Sequence, residues 1–146
     1  MNLNREQACY LFGQREMPAE KQPLLQQAIE KLITEQKARY FIFGHQGEFD
    51  RWALLTLRQL QKKYLHIRYS VVLAYYPPTS HDFYDHETVY PAELATIPKR
   101  FAICHRNRLM LKHATIVVCY VPYSFGASAK MLLDAKRLKK EIIQII

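Results

Sequence analysis

The chain has 146 residues, of which 49% are hydrophobic, a composition that excludes a largely disordered protein and fits one folded domain. Its formal net charge of +8 at pH 7 favours an anionic partner, such as a phosphate, a nucleotide or a nucleic acid. No apolar run approaches the roughly 20 residues of a membrane span, the sequence starts without a signal-peptide pattern, and its three cysteines have no metal-like spacing, so we predict a cytoplasmic protein.

Apolar patterns in the first half of the chain predict two strands, each followed by a helix. The first strand covers 7–12, and apolar residues spaced three or four positions apart predict a helix over 20–36. A second apolar strand at 38–43 precedes a helix over 49–63, whose apolar residues again share one face.

The second half continues this alternation after a long interruption. A strand rich in β-branched and aromatic residues covers 67–76 and ends before Pro77 and Pro78. Residues 79–103 show no clean period, and a loop of this length is typically functional or flexible. The remaining predicted elements are a helix at 104–113, a strand at 114–121, a helix at 127–139 and a strand at 141–146.

Strands that alternate with helices predict an α/β protein. We expect a Rossmann-like three-layer sandwich with a mostly parallel five-stranded sheet, formed by residues 1–146 as a single domain. Open sheets of this kind bind their ligands at the carboxyl ends of the strands, where the strand order reverses.

The glycines fall where this architecture would place a ligand. The chain has four, and Gly13, Gly44, Gly47 and Gly126 each come just after a predicted strand. Glycine tolerates positive φ and lets another group approach the backbone closely. The alternative is that these glycines only punctuate turns, but none lies in a helix-to-strand connection, where the C-cap of a helix favours glycine.

Polar side chains cluster after the same strands or, for Arg106 and Asn107, before the strand at 114–121, and they suit a phosphate. They are Gln14, Arg15, His45, Gln46, Glu48, Asp50, Arg106, Asn107, Ser124 and Ser128. Helices that start near Gly47 and Gly126 would present free backbone N–H groups, and Arg15 or Arg106 would add a two-point contact. Asp50 either accepts from ribose hydroxyls or caps the second helix, and for Asp50 or Glu48 we favour capping.

Four motifs in order resemble the SLOG superfamily of Rossmann-like domains. They are "FGQR" (12–15), "FGHQGEFDRWA" (43–53), "RNRLM" (106–110) and "FGAS" (125–128), and they are most similar to the YpsA-like branch. The superfamily also includes LOG-type phosphoribohydrolases and the DNA-processing protein DprA. The resemblance implies a nucleotide-type pocket, and the resulting candidate ligand-binding set is Gly13, Arg15, Gly44, His45, Gly47, Asp50, Arg106, Asn107, Gly126, Ala127 and Ser128.

The chain departs from the family pattern around its last glycine. Phe125 replaces the first glycine of a "GGT" turn, and Ala127 replaces its threonine. The phenylalanine would either narrow the approach of a phosphate or offer a ring for base stacking. The hydrolases carry "PGGxGTxxE", whereas this chain has "YSFGASAKMLLD", in which Asp134 is the first acidic residue after Gly126. The resemblance therefore does not carry over hydrolysis, and a binding domain is favoured over an enzyme.

Other catalytic and metal-binding patterns are absent or weak in the sequence. It has no GxSxG, Walker A or HExxH motif. His45 is the best acid–base candidate, although a hydrogen-bonded loop histidine is the plainer interpretation. Five potential metal ligands lie together at His81, Asp82, Asp85, His86 and Glu87, but their spacing matches no strong zinc pattern, so we predict a solvated loop and no metal.

Three functions remain open. The leading one is a module that binds or senses a nucleotide or a nucleotide-derived ligand. The second is a nucleic-acid-binding protein, favoured by the relation to DprA and by the absence of any acidic residue between Glu93 and Asp134. The third is a small hydrolase or transferase that acts on a nucleoside monophosphate through His45 or Asp50. The resemblance also allows a homodimer, since related domains often pair through helices.

Overall fold

A computed structural model describes residues 7–78 and 83–146. In this part of the chain six strands alternate with four α-helices. The strands are β1 (Ala8–Gly13), β2 (Tyr40–Phe43), β3 (Arg68–Val72), β4 (Thr88–Val89), β5 (Ala114–Tyr120) and β6 (Glu141–Gln144). The helices are α1 (Gln22–Glu35), α2 (Glu48–Lys63), α3 (Lys99–His113) and α4 (Ala127–Arg137).

All six strands belong to one sheet in the order β4-β3-β2-β1-β5-β6. Each neighbouring pair runs parallel, and the longest pairing joins β1 to β5, with Leu11 opposite Val118 and Gly13 opposite Tyr120. The chain builds the sheet outward from β1 to β4, then returns to place β5 on the other side of β1. The strand order therefore reverses between β1 and β5, which is where open parallel sheets bind ligands.

The helices cover both faces of the sheet. Leu25 and Ile29 of α1 and Leu57 of α2 pack with Leu11 and Phe41 in one apolar core. On the opposite face, a second core contains Met110 and Leu111 of α3 and Leu132 and Ala135 of α4, together with Tyr10, Ile42 and Val117 of the sheet. Because side chains alternate along a strand, β1 and β2 supply both cores and read as continuous apolar runs. The predicted Rossmann-like three-layer α/β sandwich is therefore confirmed.

The sheet has six strands, so the predicted number of five was wrong. The additional strand, β4, has two residues and lies inside the 79–103 segment predicted as a loop. It pairs with the end of β3, where Val71 lies opposite Thr88 and Leu73 N–H donates to the Val89 carbonyl at 2.8 Å. Two residues are too few to show the alternation by which strands are recognised. Residues 79–82 of this segment lie outside the described residues.

Two predicted boundaries differ from the structure by more than two residues. The third strand ends at Val72, four residues before the predicted end at 76, although Leu73 and Ala74 remain buried. Helix α3 starts at Lys99, directly after Pro98 and five residues before the predicted start at 104. Its inward stripe is Ala102, Arg106 and Met110, spaced four apart. A buried arginine in the middle of the stripe interrupts the apolar period that reveals a helix.

No helix in the described ranges is both long and apolar enough to cross a membrane.

Candidate functional site

A cavity of about 360 Å³ opens at the carboxyl ends of β1, β2 and β5. It lies at the reversal of strand order between β1 and β5. Its lining comes from the end of β1 and the following loop, the loop after β2, the start of α2, one side of α3 and the start of α4. All four glycines of the chain line it, so the loops in which the sequence concentrates its glycines converge on one space.

The structure brings most of the predicted site residues together in this cavity. The predicted residues that line it are Gly13, Arg15, Gly44, Gly47, Asp50, Asn107, Gly126, Ala127 and Ser128. His45 instead faces a smaller neighbouring hollow of about 30 Å³. Arg106 is behind the cavity wall and only 2% exposed, so a ligand in the cavity would not touch it directly.

Three of the glycines are needed because another residue packs against their backbone. A Cβ on Gly13 would lie 2.5 Å from Cδ2 of Phe49, and a Cβ on Gly47 would lie 2.9 Å from the Arg15 carbonyl oxygen. A Cβ on Gly44 would meet the Arg106 guanidinium at 3.0 Å. Only Gly126, with φ of 96°, has a left-handed backbone conformation that favours glycine.

Helices α2 and α4 both start at the cavity. Gly47 is the N-cap of α2 and Gly126 is the N-cap of α4, and no side chain caps either helix. The first intrahelical bond of α4 runs from Lys130 N–H to the Gly126 carbonyl at 3.1 Å. The preceding N–H groups of α4 therefore have no partner within the helix, and they lie at the positive end of its dipole.

The expected helix-capping role of Asp50 or Glu48 was wrong. Oδ2 of Asp50 accepts from the Gln46 N–H at 2.8 Å, and Oε2 of Glu48 accepts from the Met17 N–H at 3.2 Å. Both carboxylates thus tie loops to the start of α2. Burial raises the pKa of Asp50, although the Gln46 N–H and the charge of Arg106 oppose that shift.

Arg106 forms a buried polar connection behind the cavity. Its guanidinium donates to Oδ1 of Asn107 at 2.9 Å and to Oε1 of Gln46, and both of these acceptor residues line the cavity. Among the described residues it forms no salt bridge. Burial lowers the pKa of Arg106, yet an arginine stays protonated near neutral pH, so a positive charge without an ion-pair partner lies behind the wall.

His45 does not fit the acid–base role for which the sequence nominated it. Its ring contacts Phe83 edge-on, with 5.4 Å between the ring centroids. Burial and the charge of Arg106 lower the pKa of His45 to about 4, so the imidazole is neutral at pH 7. Near-neutral titration, on which its nomination rested, is not what this environment produces.

An apolar and aromatic side of the cavity was only partly visible in the sequence. Phe125 lines it and is 70% exposed, and Ile103, Met110 and Met131 add apolar lining from α3 and α4. Sequence reasoning singled out Phe125 but missed Phe49, Ile103 and Met131. Phe49 packs against Gly13, and Ile103 lies in the segment without a period, so neither carried a recognisable signal.

Of the acidic and histidine cluster at 81–87, the structure describes Asp85, His86 and Glu87, and the predicted solvated loop was wrong for Glu87. Glu87 is 3% exposed and accepts from Arg58 at 2.7 Å and from the Tyr69 hydroxyl at 2.6 Å. Within the described ranges, no group of three His, Cys, Asp or Glu side chains is placed to hold a metal ion. His81 and Asp82 lie outside the described residues.

Comparison of the sequence with models of known protein families and with curated proteins gives no match.

Proposed function

We propose that this protein binds a nucleotide or a nucleotide-derived ligand in the cavity at the carboxyl ends of β1, β2 and β5. The observation that carries the proposal is the meeting of two helix N-termini, those of α2 and α4, at one cavity, with no side chain of the described residues capping either helix. Phosphate groups bind at such ends because backbone N–H groups point outward and the helix dipole favours negative charge.

The charges around the cavity favour an anionic group on the ligand. Arg15 lines the cavity, and the positive charge of Arg106 lies behind Gln46 and Asn107. Among the described residues Arg106 forms no direct salt bridge, and the nearby Asp50 carboxylate offsets only part of the cost of burying its charge, so an anion in the cavity would offset more of it. The opposing charges are Glu48 and Asp50, both in the first turn of α2, and Asp50, which lines the cavity, suits the hydroxyl groups of a sugar better than a phosphate.

The size and chemistry of the cavity suit a small organic phosphate. A volume of about 360 Å³ lies within the range of ligand sites, about 300 to 1,000 Å³. Apolar side chains line one part of it, and the helix ends with Arg15 line another. The resemblance of the ordered motifs to the SLOG superfamily supports a nucleotide as that phosphate. The hydrolase glutamate has no counterpart in "YSFGASAKMLLD", so the proposal is of binding without hydrolysis.

Thermal denaturation and calorimetry with matched ligands test the proposal. AMP and ADP at millimolar concentration should raise the melting temperature, because a ligand that binds only the folded state stabilises it, whereas adenosine should have a smaller effect. Arg15→Met should weaken AMP binding about tenfold, since it removes a charge-assisted hydrogen bond. Arg39→Met is the control, because Arg39 is exposed just before β2, at the amino-terminal end of the strand and away from the cavity. If no nucleotide raises the melting temperature, the proposal fails.

A second candidate, binding of single-stranded nucleic acid, is favoured by the surface at the start of α3. The Lys99 Nζ atom lies 5.1 Å from the Tyr75 ring centroid, and the Arg100 Cζ atom lies 4.8 Å from the Phe101 ring centroid. Phe101 is 46% exposed. Cationic and aromatic side chains together are what single-strand binders use. Retardation of an oligonucleotide that is lost in Arg100→Met would support it, and no retardation at low salt would exclude it.

A further inference from the structure

Two aromatic rings stack on each other in the loop between β5 and α4. The ring centroids of Tyr123 and Phe125 are 5.2 Å apart and their planes differ by 18°. Both side chains are exposed, at 51% for Tyr123 and 70% for Phe125. Exposed apolar rings are unfavourable in water, so a stacked pair held open to solvent indicates a surface that another flat group can cover.

The inner ring of the pair belongs to the cavity. Phe125 lines it, whereas Tyr123 supports Phe125 from outside. Phe125 directly precedes Gly126, the N-cap of α4, so its backbone adjoins the N–H groups that suit a phosphate. The φ of 96° at Gly126 sets the turn between the ring and the helix.

Helices α3 and α4 also contribute apolar lining to the cavity. Ile103 of α3 is 37% exposed and Met131 of α4 is half-buried, and both line the same space as Phe125. Branched aliphatic and thioether side chains pack well against an aromatic ring. A ligand of phosphate and sugar alone would leave this surface uncovered.

We infer that Phe125, supported by Tyr123, is the stacking surface for the base of a nucleotide whose phosphate lies at the start of α4. This inference rests on the proposed function and deepens it, because it names the side chain that would hold the base of the nucleotide. Because every nucleobase has a π face, stacking on Phe125 provides affinity for a base without selecting its identity.

The test compares AMP with ribose 5-phosphate, which has the same sugar and phosphate but no base. Dissociation constants are measured by calorimetry for the wild type, for Phe125→Leu, which keeps apolar bulk but removes the ring, and for Phe125→Tyr, which keeps the ring. Phe101→Leu is the matched control, because Phe101 is an exposed phenylalanine that does not line the cavity. Far-ultraviolet circular dichroism and melting temperatures establish that each variant is folded.

We expect the wild type to bind AMP about tenfold more tightly than ribose 5-phosphate, since base stacking on an aromatic ring contributes at about this level. Phe125→Leu should remove that difference while leaving ribose 5-phosphate affinity within about twofold, and Phe125→Tyr and Phe101→Leu should retain it. The ultraviolet absorbance of the adenine base should decrease when AMP binds to the wild type, and this decrease should be absent in Phe125→Leu.

The two ways of failing are distinguishable. If the wild type binds both ligands equally, or if Phe125→Leu weakens neither or both to the same extent, the stacking assignment is overturned while the phosphate site survives. If the wild type binds neither ligand, the proposed function itself is overturned.

Discussion

At the scale of single residues, Gly13 and Phe49 join the end of β1 to the first turn of α2. Phe49 is 1% exposed and its ring occupies the space that a Gly13 side chain would need. We expect Gly13→Ala to lower the free energy of unfolding by about 1 to 3 kcal/mol, because an extra carbon in a packed core displaces its neighbours. Urea denaturation measures this loss.

The same contact provides its own control. The double variant with Gly13→Ala and Phe49→Leu should lose less unfolding free energy than the two single variants lose in sum, since residues in contact are energetically coupled. Gly126→Ala should be insensitive to Phe49→Leu, because a Cβ at Gly126 meets no atom within 4 Å and its cost comes from the φ of 96° alone. Strict additivity of Gly13→Ala and Phe49→Leu would show that the contact does not explain the glycine.

Glu87 makes stability depend on pH in the acid range. Burial alone would raise its pKa, but hydrogen bonds from Arg58, Tyr69 and the Tyr84 N–H lower the pKa of Glu87 to about 2. A carboxyl group with a lowered folded-state pKa stabilises fully above its unfolded pKa, and this contribution is lost as the pH falls from about 4.5 to about 2.

We therefore expect Glu87→Gln to lower the free energy of unfolding on the order of 2 to 3 kcal/mol at pH 7. The difference from the wild type should shrink as the pH falls towards about 2, the folded-state value. Glu93→Gln, at an exposed position, should change stability by less than about 0.5 kcal/mol. Chemical denaturation at several pH values measures all three proteins, and a difference that is constant with pH would contradict the assignment.

At the scale of elements, regular apolar patterns predicted the strands and helices whose buried side chains are mostly apolar. The strand β5 and the helices α1 and α2 are examples, because the side chains that each buries are apolar except for Thr56 of α2. The beginning of α3 and the strand β4 were missed for physical reasons. Helix α3 buries Arg106, whose partners Gln46 and Asn107 are known only from the fold, and β4 is defined by pairing with Val71 and Val72.

The candidate site was likewise predicted in part: its loops were found from the sequence, but the side chains that depend on packing were not. Loops after β1, β2 and β5 could be placed together from the sequence, because parallel strands share one edge for their carboxyl ends. The contributions of Phe49 and Ile103 could not be placed, since they depend on the orientation of α2 and α3 relative to the carboxyl ends of the strands. The burial of Arg106 and the removal of His45 to a neighbouring hollow likewise depend on side-chain packing that no spacing encodes.

The close contact between the loop after β1 and the start of α2 leads to a prediction at the scale of elements. Glu48 N–H donates to the Arg15 carbonyl at 2.6 Å, and a Cβ on Gly47 would lie 3.0 Å from the Arg15 Cα. Gly47→Ala must therefore move one loop away from the other, and we expect a loss of about 1 to 3 kcal/mol in unfolding free energy. AMP affinity should fall with it, because both loops line the cavity.

Arg15→Met separates these two effects. It removes the guanidinium but leaves the Arg15 carbonyl, so stability should change by less than about 0.5 kcal/mol while AMP affinity falls. Denaturation and calorimetry on both variants give the comparison. If Gly47→Ala proves as stable as the wild type, the two loops are not held together by the close contact at Gly47.

At the scale of the whole molecule, the net charge of +8 attracts any polyanion, and this creates a test between the two candidate functions. Nucleic acid that binds along a basic surface releases counter-ions, so its affinity falls steeply as salt increases. A mononucleotide bound as proposed would contact helix N–H groups and one arginine, and interactions in a partly enclosed site are screened less by salt.

We expect the AMP dissociation constant to change by less than about threefold between about 50 and 200 mM salt, since few phosphate charges are neutralised. The affinity for a single-stranded oligonucleotide should fall at least tenfold over the same range if it binds through the surface charge at all. Phe125→Leu should weaken AMP but leave the oligonucleotide unaffected, whereas Arg100→Met on α3 should do the reverse. A steep salt dependence of AMP binding, or its loss in Arg100→Met, would place the nucleotide on the basic surface and would refute the cavity as its site.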